Sequence, residues 1–235
     1  DLKVHVHEAC DHTTKGVNLQ VTVWGQECLA RDCGEEYAKW FSTVLGGDEK
    51  LRLVRMLKAD KYNRPSNEGG VVSFADQYPV LMASQESISG LNLRLEKPVE
   101  MERFRPNVVI RGVESAFAED NWEAVSFVSP TATAADELLM DVPFPPCGRC
   151  KVPTNDLDTG VLDKDNQPTK TMMTFRSGKD LGFKARKLCK DVYFGIHLAR
   201  PSFKGSKTEL RVGDKVIVKS TCSPARREQK TAKYS

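Results

Sequence analysis

The chain has 235 residues, 40% hydrophobic and 29% charged, with a net charge of +3. That length can bury a sizeable core in one large domain or two small ones, and the composition excludes wholesale disorder. So small a net charge gives no ground for a nucleic-acid partner, and no apolar run approaches the roughly 18 residues of a membrane helix.

The opening residues, DLKVHVHEACDHTTKG, carry neither an initiator Met nor a signal-peptide pattern, and we expect a fragment or processed form. From there, Leu19 to Trp24 alternates apolar and polar residues as a half-buried strand does. Asp32 and Glu35 read as a capping box for a helix from Gly34 to Leu45, with Tyr37, Phe41, Val44 and Leu45 on its apolar face. Leu51 to Met56 is expected to be a strand, Asn63 to Gly70 a polar loop, and Tyr78 to Ala83 another strand. Ser84 is placed to cap a second helix whose Ile88, Leu91 and Leu95 share one face. Val108 to Ile110 is short and β-branched, as a buried strand is. Ala124 to Val128 follows as a strand, then an Ala/Thr-rich loop from Ser129 to Ala135.

Beyond a cysteine pair comes a polar turn region, then a basic segment from Lys179 to Lys190. Tyr193 to Leu198 is β-like. Glu209 to Val218 reads as a hairpin turning at Gly213-Asp214, and the last dozen residues as a solvated tail. Many short strands with two or three helices imply a strand-dominated α+β fold, with a barrel as one form of it.

The seven cysteines, at positions 10, 28, 33, 147, 150, 189 and 222, follow no disulfide framework, which suits reduced thiols in an intracellular compartment. Two of them stand three apart in FPPCGRCKVPTNDLDTG, Phe144 to Gly160. Structural zinc would need two further ligands, and Cys189 with His197 has no recognised ligand spacing. A redox dithiol needs a helix after its first cysteine, which Pro153 and the turn-rich tail oppose. Beside these two weaker readings stand two inert thiols in a turn, or one thiolate bound to a cofactor-borne transition metal. In the last case Arg149 puts a guanidinium beside the sulfurs, able to fork onto a phosphate.

Other stretches narrow the choice. FADQYPVLMASQESISGLNLRL (74–95), MERFRPNVVI (101–110), FAEDNW (117–122), CGRCKVPTNDLDTG (147–160), YFGIH (193–197) and LRVGDKVIV (210–218) occur together in one order. This set resembles a MOSC domain, most nearly that of the mitochondrial amidoxime-reducing components of plant and algal type. VWGQECLARDCGEEYAKWF, near the start, resembles the end of that family's N-terminal β-barrel segment. The resemblance implies a MOSC-type β-barrel domain with a few flanking helices at 63–220. It would follow the C-terminal part of the N-terminal segment at 1–62 and precede a polar tail at 221–235. The family's upstream stretch would be truncated.

The resemblance also implies a molybdenum cofactor bound through the sulfur of Cys150, with Cys147 a neighbour. Gly148, Arg149, Arg105, Asn107, Asp76 and Gln77 fall at cofactor-contacting positions, and His197 stands where animal members have a Tyr contact. Gly148 replaces a common Ser and Gln77 a common Thr. A pterin phosphate wants Arg forks, and its amide-like edges want Asn or Asp. Pro106 should bias Arg105 toward extended backbone, so that Arg105 and Asn107 point the same way. The plainer alternatives are Arg105 paired with Glu102 or Glu119, Asn107 capping a turn, Asp76 in an Asx turn, and His197 as a structural residue.

The implied activity is reduction of small N-hydroxylated compounds, amidoximes and hydroxylamines, with electrons from cytochrome b5 and its reductase. A mitochondrial location is part of the same implication. Lys179, Lys184, Arg186, Lys187 and Lys190 could meet an acidic donor protein. The alternative is a cofactor-binding or sulfur-transfer module, like the C-terminal part of a molybdenum cofactor sulfurase. Pyridoxal phosphate binding, too, is associated with the family.

Overall fold

The computed structural model describes residues 17–46, 51–57, 64–65, 71–131, 137–199 and 209–231. The chain divides into two compact units, Asp1–Gln77 and Tyr78–Ser235. Cys10, most of the Asn63 to Gly70 loop, most of the Ala/Thr-rich loop and the final four residues lie outside the described residues.

In the first unit, β1 (Asn18–Val23) and β2 (Gln26–Asp32) form an antiparallel hairpin. Its two-residue turn, Trp24-Gly25, has φ of 52° and 77°, the geometry that matches strand twist. β3 (Val54–Met56) pairs on β2, and β4 (Arg64–Pro65) pairs with β5 (Val71–Val72). α1 spans Glu35–Val44, but the expected capping box does not form. Gly34 occupies the N-cap with no side-chain cap; Asp32 Oδ1 accepts the Gly34 N–H at 2.8 Å, and Arg52 binds the other Asp32 oxygen and Glu35. Arg52 Nε donates to Asp32 Oδ2 at 2.7 Å and its Nη1 to Glu35. The buried face of α1 is Tyr37 and Ala38, while Val44 and Leu45 are exposed.

The second unit is built on two three-stranded sheets. One has the order β10-β6-β7, from β6 (Val80–Ser84), β7 (Val108–Ile110) and β10 (Ile196–Leu198). The other has the order β11-β8-β9, from β8 (Trp122–Val128), β9 (Glu137–Asp141) and β11 (Lys215–Thr221). Asp141 and Ala199 exchange backbone hydrogen bonds of 2.8 and 2.9 Å, linking the end of β9 to the end of β10. Met82, Val125, Ile196 and Leu198 are wholly buried in the apolar cluster that both sheets share. The fold is thus strand-rich α+β. Among the described residues β7 and β11 are sheet-edge strands that do not pair with each other, and no closed barrel forms.

Ser84 ends β6 and caps α2 (Gln85–Asn92), accepting the Ser87 N–H at 3.1 Å. Ile88 and Leu91 of α2 pack in a second cluster with Phe104, Met172, Val192 and Phe194. Two single-turn helices follow, α3 (Thr169–Met172) and α4 (Arg186–Cys189). The expected 209–218 hairpin is absent. β11 instead runs antiparallel to β8, whose edge offers a longer partner. Nor is the chain end a solvated tail as far as it is described. α5 (Pro224–Thr231) buries Arg227 and Glu228. Arg227 donates to the carbonyls of Trp122 and Val142, and Glu228 accepts the Lys184 and Ala185 N–H groups at 2.7 Å each. Satisfied in this way, two charged residues can be buried where composition alone suggested solvent.

Candidate cofactor site

Cys147 to Cys150 lies against a backbone ledge made by Val192 to Gly195. Cys147 donates its N–H to Gly195 O (2.9 Å) and accepts from Phe194 N–H (3.1 Å), and Arg149 N–H donates to Val192 O (2.7 Å). These bonds fix a loop that has no regular structure of its own. Gly195 takes φ +76°, and a Cβ there would sit 2.8 Å from Met82 O, so the ledge packs tightly onto β6. Gly148 is different: a Cβ added to it would meet only Tyr193 Cε1, at 3.8 Å.

The two thiols differ sharply in surroundings. Cys147 is buried, and Arg149 Nη1 donates to its sulfur at 3.1 Å. Cys150 is exposed, and its sulfur receives only the Val152 N–H, at 3.5 Å, among the described contacts. Arg149 Nη2 donates to Phe104 O at 2.8 Å, and Arg149 Nε is a buried donor with no acceptor among the described residues. Arg149 therefore spends most of its fork tying the cysteine loop to the 3-10 turn Met101–Phe104.

That turn delivers Arg105. Phe104 is fully buried and stacks on Phe194 with centroids 4.0 Å apart, and Arg105 follows it into solvent. Arg105 is not extended as expected but left-handed, at φ 56° and ψ 42°, because it ends the 3-10 turn while Pro106 bars a continued right-handed helix. Its supposed partner Glu119 is fully buried elsewhere, and no described ion pair includes Arg105. A second tie, Arg103 to Asp156 at 3.3 Å, joins the Arg105 turn to the stretch after Cys150. Hydrogen bonds led by the Thr159 side chain hold the Asp156 carboxyl below its usual range, keeping it anionic.

Asn107 brackets β6: its N–H donates to Leu81 O and its Oδ1 accepts Leu81 N–H, both at 2.8 Å. Opposite Leu81 across the sheet stands His197, buried, its ring 4.8 Å from that of Tyr78. Asp76 and Gln77 are exposed in the first unit, where Asp76 Oδ1 accepts the Trp24 indole N–H at 3.0 Å. The structure thus brings Gly148, Arg149 and Cys150 together with Arg105. Asn107 and His197 flank Leu81 on the neighbouring sheet.

Sequence reading missed what lies beneath. Glu119, wholly buried, accepts the Ser84 N–H and the Ser87 hydroxyl at 3.2 and 2.6 Å, which fixes the start of α2. Burial pushes its carboxyl pKa above the ordinary value. Asp120 pairs with Arg176 through two bonds of 2.5 and 3.1 Å. FAEDNW was the visible signal for the two acids, whereas nothing in the local pattern marks Arg176.

An exposed thiol, on a loop tied by Arg149 to the turn that bears an exposed Arg105, suits a soft metal carried on an anionic organic group. The unmet Arg149 Nε and the open approach at Gly148 fit the same kind of ligand. The zinc alternative fares worse. Among the described residues no group of three or more His, Cys, Asp or Glu could hold a metal ion, and Cys189 Sγ donates to Phe183 O. No described helix is long and apolar enough to cross a membrane.

A family model described as "MOSC domain" matches residues 69–217. "Mitochondrial amidoxime-reducing component 1" of Xenopus laevis is 31% identical over 206 residues, covering 84% of this chain and 55% of its own length. "Mitochondrial amidoxime reducing component 2" of Homo sapiens is 34% identical over 201 residues, covering 83% and 54%. Its namesake in Bos taurus is 38% identical over 165 residues, covering 66% and 44%. The chain spans about half the length of the curated relatives it matches.

Proposed function

The chain belongs to the MOSC-domain family, and from that premise we propose that it binds a molybdenum cofactor and reduces small N-hydroxylated compounds, such as amidoximes and hydroxylamines. Electrons come from cytochrome b5 and its reductase, and the setting is mitochondrial. The observation that carries this reading is the exposed Cys150 sulfur, on a loop pinned to the Val192 to Gly195 ledge and tied by Arg149 to the turn bearing Arg105.

When bound, the cofactor supplies two-electron redox chemistry at its metal. Cys150 provides the protein's sulfur ligand and is not a nucleophile. Arg105, in no ion pair among the described residues, grips the phosphate end. Gly148 lets the backbone approach closely. Arg149 keeps the loop in shape and offers Nε as one remaining donor. Asn107, with Oδ1 committed to Leu81, has only its amide N–H groups to offer. His197 holds its place in β10. Pyridoxal phosphate has no part in this reading.

Lys179, Lys184, Arg186, Lys187 and Lys190 are all exposed, on a segment that leads directly into the ledge. An acidic electron donor meeting this face would associate faster at low ionic strength. The deciding assay supplies an amidoxime, cytochrome b5 and its reductase to the molybdenum-loaded full chain. Salt-sensitive turnover is expected. Loaded protein that never turns over would leave the cofactor-binding or sulfur-transfer module as the function.

A further inference from the structure

The FAEDNW motif supplies two buried acids, and one of them reaches the ledge under the cysteine loop through a single intermediary. Asp120 and Arg176 have side chains only 6% and 4% exposed and meet in a bidentate fork. Arg176 Nε then donates to Tyr193 O at 3.0 Å, while Tyr193 N–H donates to Arg176 O, also at 3.0 Å. The face of the Phe117 ring covers the guanidinium, 4.2 Å from its centroid. Tyr193 is therefore held at both backbone groups by one residue. It is also the partner of Gly148, within the ledge whose Val192, Phe194 and Gly195 bond the cysteine loop.

We propose that Asp120 and Arg176 are positioning residues, setting the ledge at Tyr193 so that the Cys147–Cys150 loop presents Cys150 outward and keeps Cys147 covered. The proposal rests on the reading of Cys150 as the cofactor's ligand. Its physical content, the orientation of two thiols, exists without any cofactor. An ion pair buried this deeply adds little net stability over an apolar pair of the same shape, so its value lies in fixing one geometry. A bidentate fork with a third bond from Nε constrains the ledge in a way that a lysine ammonium cannot reproduce.

The test uses the cofactor-free full chain, reduced and folded, with iodoacetamide as probe and per-cysteine mass spectrometry as readout. In the wild type Cys150 is alkylated quickly, while Cys147, Cys28 and Cys222, all buried, are protected. In Arg176→Lys and Asp120→Asn, Cys147 alkylation should rise roughly tenfold relative to Cys222, the scale of about 1.4 kcal/mol of lost local protection. General loosening would raise Cys222 and Cys28 in step, and that outcome overturns the proposal. So does a folded variant with unchanged Cys147 protection.

Should the single variants fail to fold, the paired Asp120→Leu/Arg176→Met variant removes both charges and decides on the same readout. Hydrogen exchange in the wild type needs no variant. The amides of Cys147, Arg149, Tyr193 and Phe194 should open together, and much faster exchange at Cys147 and Arg149 than at Tyr193 would also sink the idea. Absence of molybdenum or turnover would end the functional reading without altering these results.

Discussion

Two parts of the second unit are organised in opposite ways. Between the sheets, Met82, Val125, Ile196 and Leu198 are held by shape and apolar contact, and each belongs to a strand with regular pairing. Around the cysteine loop, position is held by backbone bonds to the ledge, by the forks of Arg149 and Arg176, and by the buried carboxyl of Asp120. An apolar core tolerates a neighbour's small shift. A set of forked, directional bonds does not, which suits a loop that must present one sulfur and hide another.

Removing one member of the ledge set should hurt most. Arg176→Ala leaves the Asp120 charge buried and alone, and should cost about 3–5 kcal/mol of unfolding free energy. Leu198→Ala in the sheet core should cost about 2–5 kcal/mol through its cavity. The contrast is sharpened by the thiols: only the Arg176 variant should lose the selective protection of Cys147. Equal loss in both, measured by denaturant titration and alkylation, would break the distinction.

Glu119→Gln should act more gently and through pH. Burial raises the Glu119 carboxyl above its usual 4.5, so the folded chain holds a proton that the unfolded chain has already released. Its contribution is complete below 4.5 and fades as pH rises through the folded value. Gln keeps an acceptor for the Ser84 N–H without the titration. Stability of the variant should therefore fall less than that of wild type as pH rises above 4.5. Asp141, also raised by burial, keeps some slope in both. Superimposable stability curves would show that Glu119 does not carry this dependence.

The division between the two regions also explains how much could be read beforehand. Alternation and β-branching marked the strands at β1, β6, β7 and β8, and Ser84 marked the start of α2, because these elements follow side-chain period. β9 was missed although Leu138 and Met140 alternate inward, since an Ala/Thr-rich loop masks its start. The Asp32–Glu35 capping box does not form, and Arg52, distant in sequence, binds both acids. At the site, motif order singled out Cys150, Arg105 and Asn107. It did not reveal that Arg105 is left-handed, or that Arg149 points at Cys147 and Phe104. Those facts depend on tertiary partners, and α5 became visible only through the carbonyls and amides it satisfies.

The most direct measurement is metal content and N-hydroxy reductase turnover of the purified full chain beside Cys150→Ala. The account predicts molybdenum in near-equal amount to protein in the wild type, and a folded variant without turnover. Full turnover in the variant, or zinc in place of molybdenum in the wild type, would contradict it.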